Sequence, residues 1–149
     1  MRAHPQSKNI HFHFLKVEHA LKRRNLLKTF LARLFKAEHC ALSRLDIVFC
    51  ADAYLLRLNQ RELNHDFYTD ILTFPFSGQG LPTEADIYIS VDRVRENARL
   101  FSCSIESELL RVIFHGCLHL CGYGDKTAKE KKRMRERENH YLNRFRQVS

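Results

Sequence analysis

No stretch of the chain approaches the roughly 18 consecutive apolar residues that would span a bilayer. The opening Met1-Arg2-Ala3-His4-Pro5 has no apolar segment behind it, so neither a membrane span nor a secretory leader is expected, and the protein is expected in the cytoplasm. Cysteine lacks the pattern of a disulfide framework: the five residues at 40, 50, 103, 117 and 121 are odd in number and show no paired spacing, which fits a reducing compartment. Internal repeats, linkers and low-complexity tracts are also missing. The 149 residues, 44% of them hydrophobic, are therefore expected to form a single domain over 1–149 that buries its core without covalent staples. Acidic charge is in deficit, with 17 Asp+Glu against 25 Lys+Arg and a net charge of +8. That balance favours a polyanionic partner.

The basic residues are not spread evenly. One group runs from Lys16 to Lys36 and includes Lys22-Arg23-Arg24; another runs from Lys126 to Arg137, with Arg144 and Arg146 beyond it. The second is interleaved with Glu130, Glu136 and Glu138, so it reads equally as a solvated helix face. Lys22-Arg23-Arg24 has no acid beside it in sequence and is the better phosphate-binding candidate.

The chemistry concentrates in His115-Gly116-Cys117-Leu118-His119-Leu120-Cys121-Gly122-Tyr123-Gly124-Asp125. Residues four apart on a helix are separated by about 400° of rotation, so His115 and His119 share a face one turn apart and can reach one ion. Gly122 suits the helix C-terminus, where a residue of positive φ reverses the chain. Asp125 lies far enough beyond it to fold a carboxylate back towards the imidazoles. Two imidazoles and a carboxylate leave a fourth tetrahedral position open, the layout of a catalytic zinc site. Such a His pair also occurs among surface or core histidines, but the apolar Leu109, Leu110, Val112, Ile113 and Phe114 place this helix in the interior, where imidazole nitrogens need partners. Gly116, costly within a helix, implies either close approach of a partner group or tight helix packing. Cys117 and Cys121 sit about 200° from the histidines and read as small buried hydrophobes. The zinc-peptidase motif His-Glu-x-x-His carries its general base where Gly116 stands, so that activity is not expected.

The pattern His-Gly-x-Leu-His-Leu-x-Gly-Tyr resembles the YbeY family of single-strand-directed endoribonucleases involved in ribosomal RNA maturation. Three further segments occur in the family's order: Leu58-Asn59 with Asp66 and Thr69-Asp70-Ile71-Leu72-Thr73-Phe74-Pro75-Phe76; Ala85-Asp86-Ile87-Tyr88-Ile89-Ser90 with Asn97-Ala98; and Glu108-Leu109-Leu110-Arg111-Val112. Two positions depart from it. The commoner ending is Gly-Tyr-Asp-His, whose last histidine is the third ligand, whereas Gly124-Asp125 stands here. Carboxylate oxygen also binds zinc, but an anionic ligand makes the bound water less acidic and lets harder ions compete better. The family often has an arginine five residues after the Leu-Asn leucine, where this chain has Leu63.

Alternation over Ile10–Phe14 predicts a half-buried strand. A helix is expected from about Glu18 to Glu38, with Ala20, Leu21, Leu27, Phe30, Leu31, Leu34 and Phe35 as its inward stripe. Leu45 to Cys50 predicts a second strand, and Asp52 can cap a helix over Ala53 to Asn64. Strands over Ile71 to Phe76 and Ala85 to Ser90 form an antiparallel pair across a Gly/Pro-containing turn. Helices follow over about Asp92 to Phe101, Ile105 to Cys121 and Lys129 to Phe145. The order predicts an α+β single domain with a mixed four-stranded sheet covered by helices, the metal site lying on a helix of the C-terminal half and the turn after it.

The resemblance implies an endoribonuclease holding one zinc ion per chain through His115, His119 and Asp125, acting on single-stranded ribosomal RNA of the small subunit near the 16S 3′ end and in ribosome quality control. Candidate catalytic residues are His115, His119, Arg111 and His65. Arg111, one turn before His115, can reach a phosphate or pair with Glu108; His65 can donate a proton, stack on a base or simply face solvent. Lys22, Arg23 and Arg24 are the candidate RNA contacts. A non-catalytic, zinc-stabilised ribosome-assembly factor is the alternative, which Leu63 keeps open. A metal hydrolase of a small substrate rests on fold-level likeness alone.

Overall fold

A computed structural model of the chain describes residues 2–18 and 21–149. After a 3-10 turn at Pro5–Asn9 come β1 (Ile10–Phe14), α1 (Arg24–Ala37), β2 (Leu42–Cys50), α2 (Asp52–Leu63), β3 (Ile71–Pro75), β4 (Thr83–Ser90), α3 (Val91–Leu100), α4 (Ile105–Leu120) and α5 (Ala128–Val148). The strands form one mixed sheet of order β1-β2-β4-β3. β1 and β4 each run parallel to β2, and β3 is antiparallel to β4. The expected α+β architecture is the observed one.

Period-two side-chain alternation decides which helices cover which face. Ile10, Leu45, Ile47, Phe49, Ala85, Ile87 and Ile89 join α1, α4 and α5 in one core. On the other face, α2 packs Leu55 and Leu58 against Cys50 and Leu72, with Tyr54, Phe74 and Tyr88 around them. α4 buries Leu109, Leu110, Val112, Ile113, Phe114, Gly116, Cys117 and Leu118, because the sheet, α1, α3 and α5 surround it. A helix apolar on nearly every side belongs at the centre of a domain. Full burial of each large side chain contributes about 1.5–3 kcal/mol. Gly116 belongs to that packing: a Cβ there would stand 2.7 Å from Ile71 Cδ1 and 3.1 Å from Ile87 Cδ1. Of the two readings of this glycine, the structure supports tight packing.

Several boundaries correct the expectations. α1 begins at Arg24, not Glu18, after Arg23 adopts a left-handed conformation with φ of 54°. Leu21 is buried from an irregular segment, so its fit to the helical period lengthened the expected helix; Ala20, assigned to the same stripe, lies outside the described residues. β2 starts at Leu42, not Leu45; a register shift between Leu42 and Arg44 breaks the alternation there and hides these first residues. Asp52 is not a cap: Ala51 is the N-cap residue and makes no side-chain capping bond. The Asp52 carboxylate instead accepts from Arg93 Nη2 at 3.0 Å and Ser90 Oγ at 3.1 Å, tying α2 to the start of α3.

The C-terminal half is closed by Glu38, just past α1. Its carboxylate accepts from Tyr123 Oη at 2.7 Å, Arg137 Nη2 at 2.8 Å and the Tyr141 hydroxyl, joining α1 to α5 and to the turn after α4. Burial pushes this carboxyl up, but the bonds from Tyr141, Tyr123 and Arg137 outweigh it and hold it below its ordinary 4.5. A depressed carboxylate stabilises the fold fully above its unfolded pKa and loses that contribution as pH falls through the folded value. Glu38→Gln is expected to cost about 1–3 kcal/mol at pH 7, with the difference from the parent shrinking below pH 4.5. Urea denaturation at both pH values measures it; a pH-independent difference contradicts the ionic role.

Candidate metal centre

The end of α4 brings His115 and His119 into edge-to-face contact, with ring centroids 4.5 Å apart. Cys121 follows as the C-cap, and Gly122 reverses the chain at φ of 103°. A side chain is strained in that region, so the glycine makes the reversal possible. The turn returns Asp125 to the rings: its Oδ2 lies 3.3 Å from His115 Nε2 and 3.2 Å from His119 Nε2. Among the described residues, His115, His119 and Asp125 form the one group whose ligand atoms all fall within 4.8 Å of one another.

The second nitrogen of each ring is already engaged. His115 Nδ1 donates to Glu138 Oε2 at 2.6 Å and His119 Nδ1 to the Tyr123 carbonyl at 2.8 Å. Each Nε2 therefore turns a lone pair towards a carboxylate, which only an intervening cation, proton or metal, makes attractive. Tetrahedral coordination at about 2.0–2.1 Å places ligand atoms ~3.3 Å apart, matching both separations from Asp125. A carboxylate or carbonyl behind each ligating imidazole is the usual arrangement that fixes its tautomer and orientation. The donor set thus fits one divalent ion.

Glu138 is the group the sequence did not reveal. It falls on the buried stripe of α5 with Met134, Tyr141, Leu142 and Phe145 and is 2% exposed. A glutamate in register with an apolar stripe was the available signal, masked by the charged residues around it. Arg111 compensates its burial: Nη1 donates to Glu138 at 3.2 Å, while Nε and Nη2 donate to Glu108 at 2.8 and 2.6 Å. Asp70 approaches Arg111 Nη2 at 3.8 Å. Burial raises the Glu138 carboxyl, but the His115 bond and the Arg111 charge hold it below the ordinary value. Asp70 is pushed up by burial, against the pull of Arg111 and His115. Arg111 is therefore not free to meet a phosphate; of its two sequence readings, the ion pair is the observed one.

The remaining candidates are dispersed. His65 lies between α2 and β3, stacked on Phe67 with centroids 5.1 Å apart. Lys22, Arg23 and Arg24 precede or open α1, but tertiary structure supplies the acid absent from their sequence neighbourhood: Arg23 Nη2 donates to Glu106 at 2.8 Å. Arg24 lies over the Phe14 ring at 4.6 Å and donates to the Leu21 carbonyl. Lys22 makes no ion pair among the described residues. Cys117 is fully buried and is not among the side chains that converge on the ligand group, as expected.

Fold and site together define an α+β protein carrying a helix-borne His pair and a following carboxylate suited to one divalent ion. A family model described as Endoribonuclease YbeY matches residues 9–146, and the chain belongs to that family. It is 45% identical over 125 residues to Endoribonuclease YbeY of Cytophaga hutchinsonii, covering 84% of this chain and 87% of that one. The protein of the same name from Porphyromonas gingivalis strain ATCC 33277 is 42% identical over 120 residues, covering 80% and 79%. A Thermotoga maritima protein solved in solution superposes with a TM-score of 0.63 at 30% identity, covering 91% of this chain and 88% of that one.

His115→Ala and His119→Ala are each expected to abolish stoichiometric metal in the purified protein, and Asp125→His to retain it. Glu138→Gln should keep the metal but weaken its affinity about 10- to 100-fold. Chelator competition measures these changes; unchanged affinity in Glu138→Gln would remove the carboxylate from the site's support.

Proposed function

We propose that this chain is a zinc-dependent endoribonuclease that cuts single-stranded ribosomal RNA during maturation of the 16S 3′ end and in ribosome quality control. The observation that carries the reading is the convergence of two oriented imidazoles and Asp125, in a chain of the YbeY family. His115, His119 and Asp125 would hold the ion. Bound zinc supplies Lewis acidity towards a phosphodiester oxygen or a water.

The protein's own contribution is orientation. Glu138 and the Tyr123 carbonyl keep each Nδ1 protonated and each Nε2 aimed at the ion position. Arg111 acts as a positioning residue, because its charge makes burial of Glu138 tolerable. Asp125 is the most exposed of the three ligands, at 41% against 17% for His115 and 27% for His119, so the RNA strand approaches from the side of the turn. His65 is the candidate for proton exchange with the strand. The net charge of +8 draws RNA in, with Lys22 as the uncommitted member of the candidate triplet and Arg23 and Arg24 able to contribute by exchanging their present partners.

The small ribosomal subunit is the proposed partner and the cytoplasm the proposed location; among the described residues no helix is long and apolar enough to cross a membrane. The second reading, a non-catalytic assembly factor whose metal stabilises the fold, is favoured by one feature. Leu63, at the family's usual arginine position, ends α2 as a partly exposed apolar side chain, and Arg111 does not replace the missing charge.

Highly purified metal-loaded protein should cleave a defined single-stranded RNA, and His119→Ala prepared identically should not. Equal cleavage by both assigns the activity to a contaminant and leaves the assembly-factor reading. Replacing Lys22, Arg23 and Arg24 together by Gln should weaken RNA binding and flatten its dependence on salt; an unaltered salt slope gives that patch another role.

A further inference from the structure

Residues 64–70, between α2 and β3, present two neighbouring aromatic side chains to solvent, Phe67 at 55% and Tyr68 at 52% exposed. Their surroundings are ordered by specific bonds. Asn59, fully buried on α2, donates from Nδ2 to the Phe67 carbonyl at 3.0 Å, and its backbone carbonyl accepts from the His65 backbone N–H at 3.2 Å. The His65 ring stacks on Phe67 with an interplanar angle of 23°. Tyr68 is covered by Arg93, whose guanidinium lies 4.6 Å from the ring centroid and is clamped by Asp52. One aromatic plane is thus backed by a second ring and fixed to a helix, while much of its surface remains exposed.

The same segment runs into β3 and ends beside the helix that carries the two histidines. Three residues after Phe67 stands Asp70, 3.8 Å from Arg111, which lies one helical turn before His115. A nucleic acid strand engaged at the metal site would have Asp70 and the loop that ends in it as neighbours. The groups beside Phe67 suit a base more than a phosphate: Asp66, bonded to Gln60 at 2.5 Å, repels an anion, whereas neutral base edges can bond to both. Arg57, on the preceding helix, makes no ion pair among the described residues and is available to the strand's backbone.

We propose that Phe67, backed by His65, is a stacking platform for one unpaired base of the RNA whose phosphodiester lies at the metal centre. The proposal rests on the endoribonuclease reading. Aromatic platforms of this kind tolerate any sequence, because every base has a π face, and they select single strands, because a paired base is already stacked. The fold does not depend on the Phe67 ring: the loop is anchored through its backbone carbonyl, so truncating the side chain leaves the anchor intact.

The test is steady-state cleavage of a labelled single-stranded oligoadenylate by metal-loaded protein. Phe67→Ala should raise KM about tenfold with kcat nearly unchanged, and Phe67→Trp should retain the parent KM. Phe101→Ala, an equally exposed aromatic at the end of α3, should have no effect. Removing bases from the oligoadenylate one at a time should raise KM for the parent at one position and at none for Phe67→Ala. An unchanged KM in Phe67→Ala, a loss confined to kcat, or equal sensitivity of both proteins to base removal overturns the platform while leaving the nuclease standing. Parent activity no greater than that of His119→Ala overturns the nuclease reading and the platform with it. A Phe67→Ala protein with normal RNA cleavage and lost binding to small ribosomal subunits makes the loop a protein-docking surface instead.

Discussion

A carboxylate removed from water must find cations or lose its charge, and Glu138 does so at the centre of this molecule. Its position on α5 follows from the stripe that packs Met134, Tyr141, Leu142 and Phe145 inward. Its partners, Arg111 and His115, lie one turn apart on α4. The interhelical contact is therefore both packing and electrostatics: it fixes α5 against α4 and at the same time sets the orientation of a ligand imidazole. Removing Arg111 would leave the buried carboxylate with the His115 N–H and the more distant Arg135 guanidinium at 3.6 Å as its remaining partners, and breaking a buried pair in this way is strongly destabilising.

The rest of the centre is built on this rigid base with decreasing burial. His115 is held by a buried side chain, His119 by the backbone carbonyl of Tyr123, and Asp125 by the path of a glycine turn. Tyr123 also donates to Glu38, so the turn is tied to α1 and α5 as well as to α4. A site prepared in this way would lose little conformational freedom on taking up an ion, and Asp125 is its most exposed side chain.

Two departures from the family pattern act on separate parts of the chemistry. Asp125 would change the charge around a bound ion, but its carboxylate lies within 3.3 Å of both imidazoles, so metal binding can survive the exchange. Leu63 removes a cation from the end of α2, and the buried arginine of α4 does not compensate, because Glu108 and Glu138 already occupy its donors. Charge for a phosphate has to come from other side chains, and the loop after α2 contributes aromatic surface where relatives often have charge nearby.

The sequence by itself determined the features governed by short-range geometry. Helical rotation put His115 and His119 on one face, Gly122 turned the chain, alternation identified β1, and the Gly/Pro-containing turn marked the antiparallel pair β3 and β4. The tertiary structure decided every interaction between distant charges. Glu138 lies 23 residues from His115 and Glu106 lies 83 from Arg23, separations at which neither spacing nor period signals contact. Asp52, a plausible cap by residue type, was drawn instead to Arg93, and Arg111, whose pairing with Glu108 was already legible one turn away, was drawn also to Glu138, because an ionised group settles with whichever opposite charge the packed helices bring nearest. Local backbone geometry is written along the chain, whereas the partner of a charge depends on how the whole chain folds back on itself.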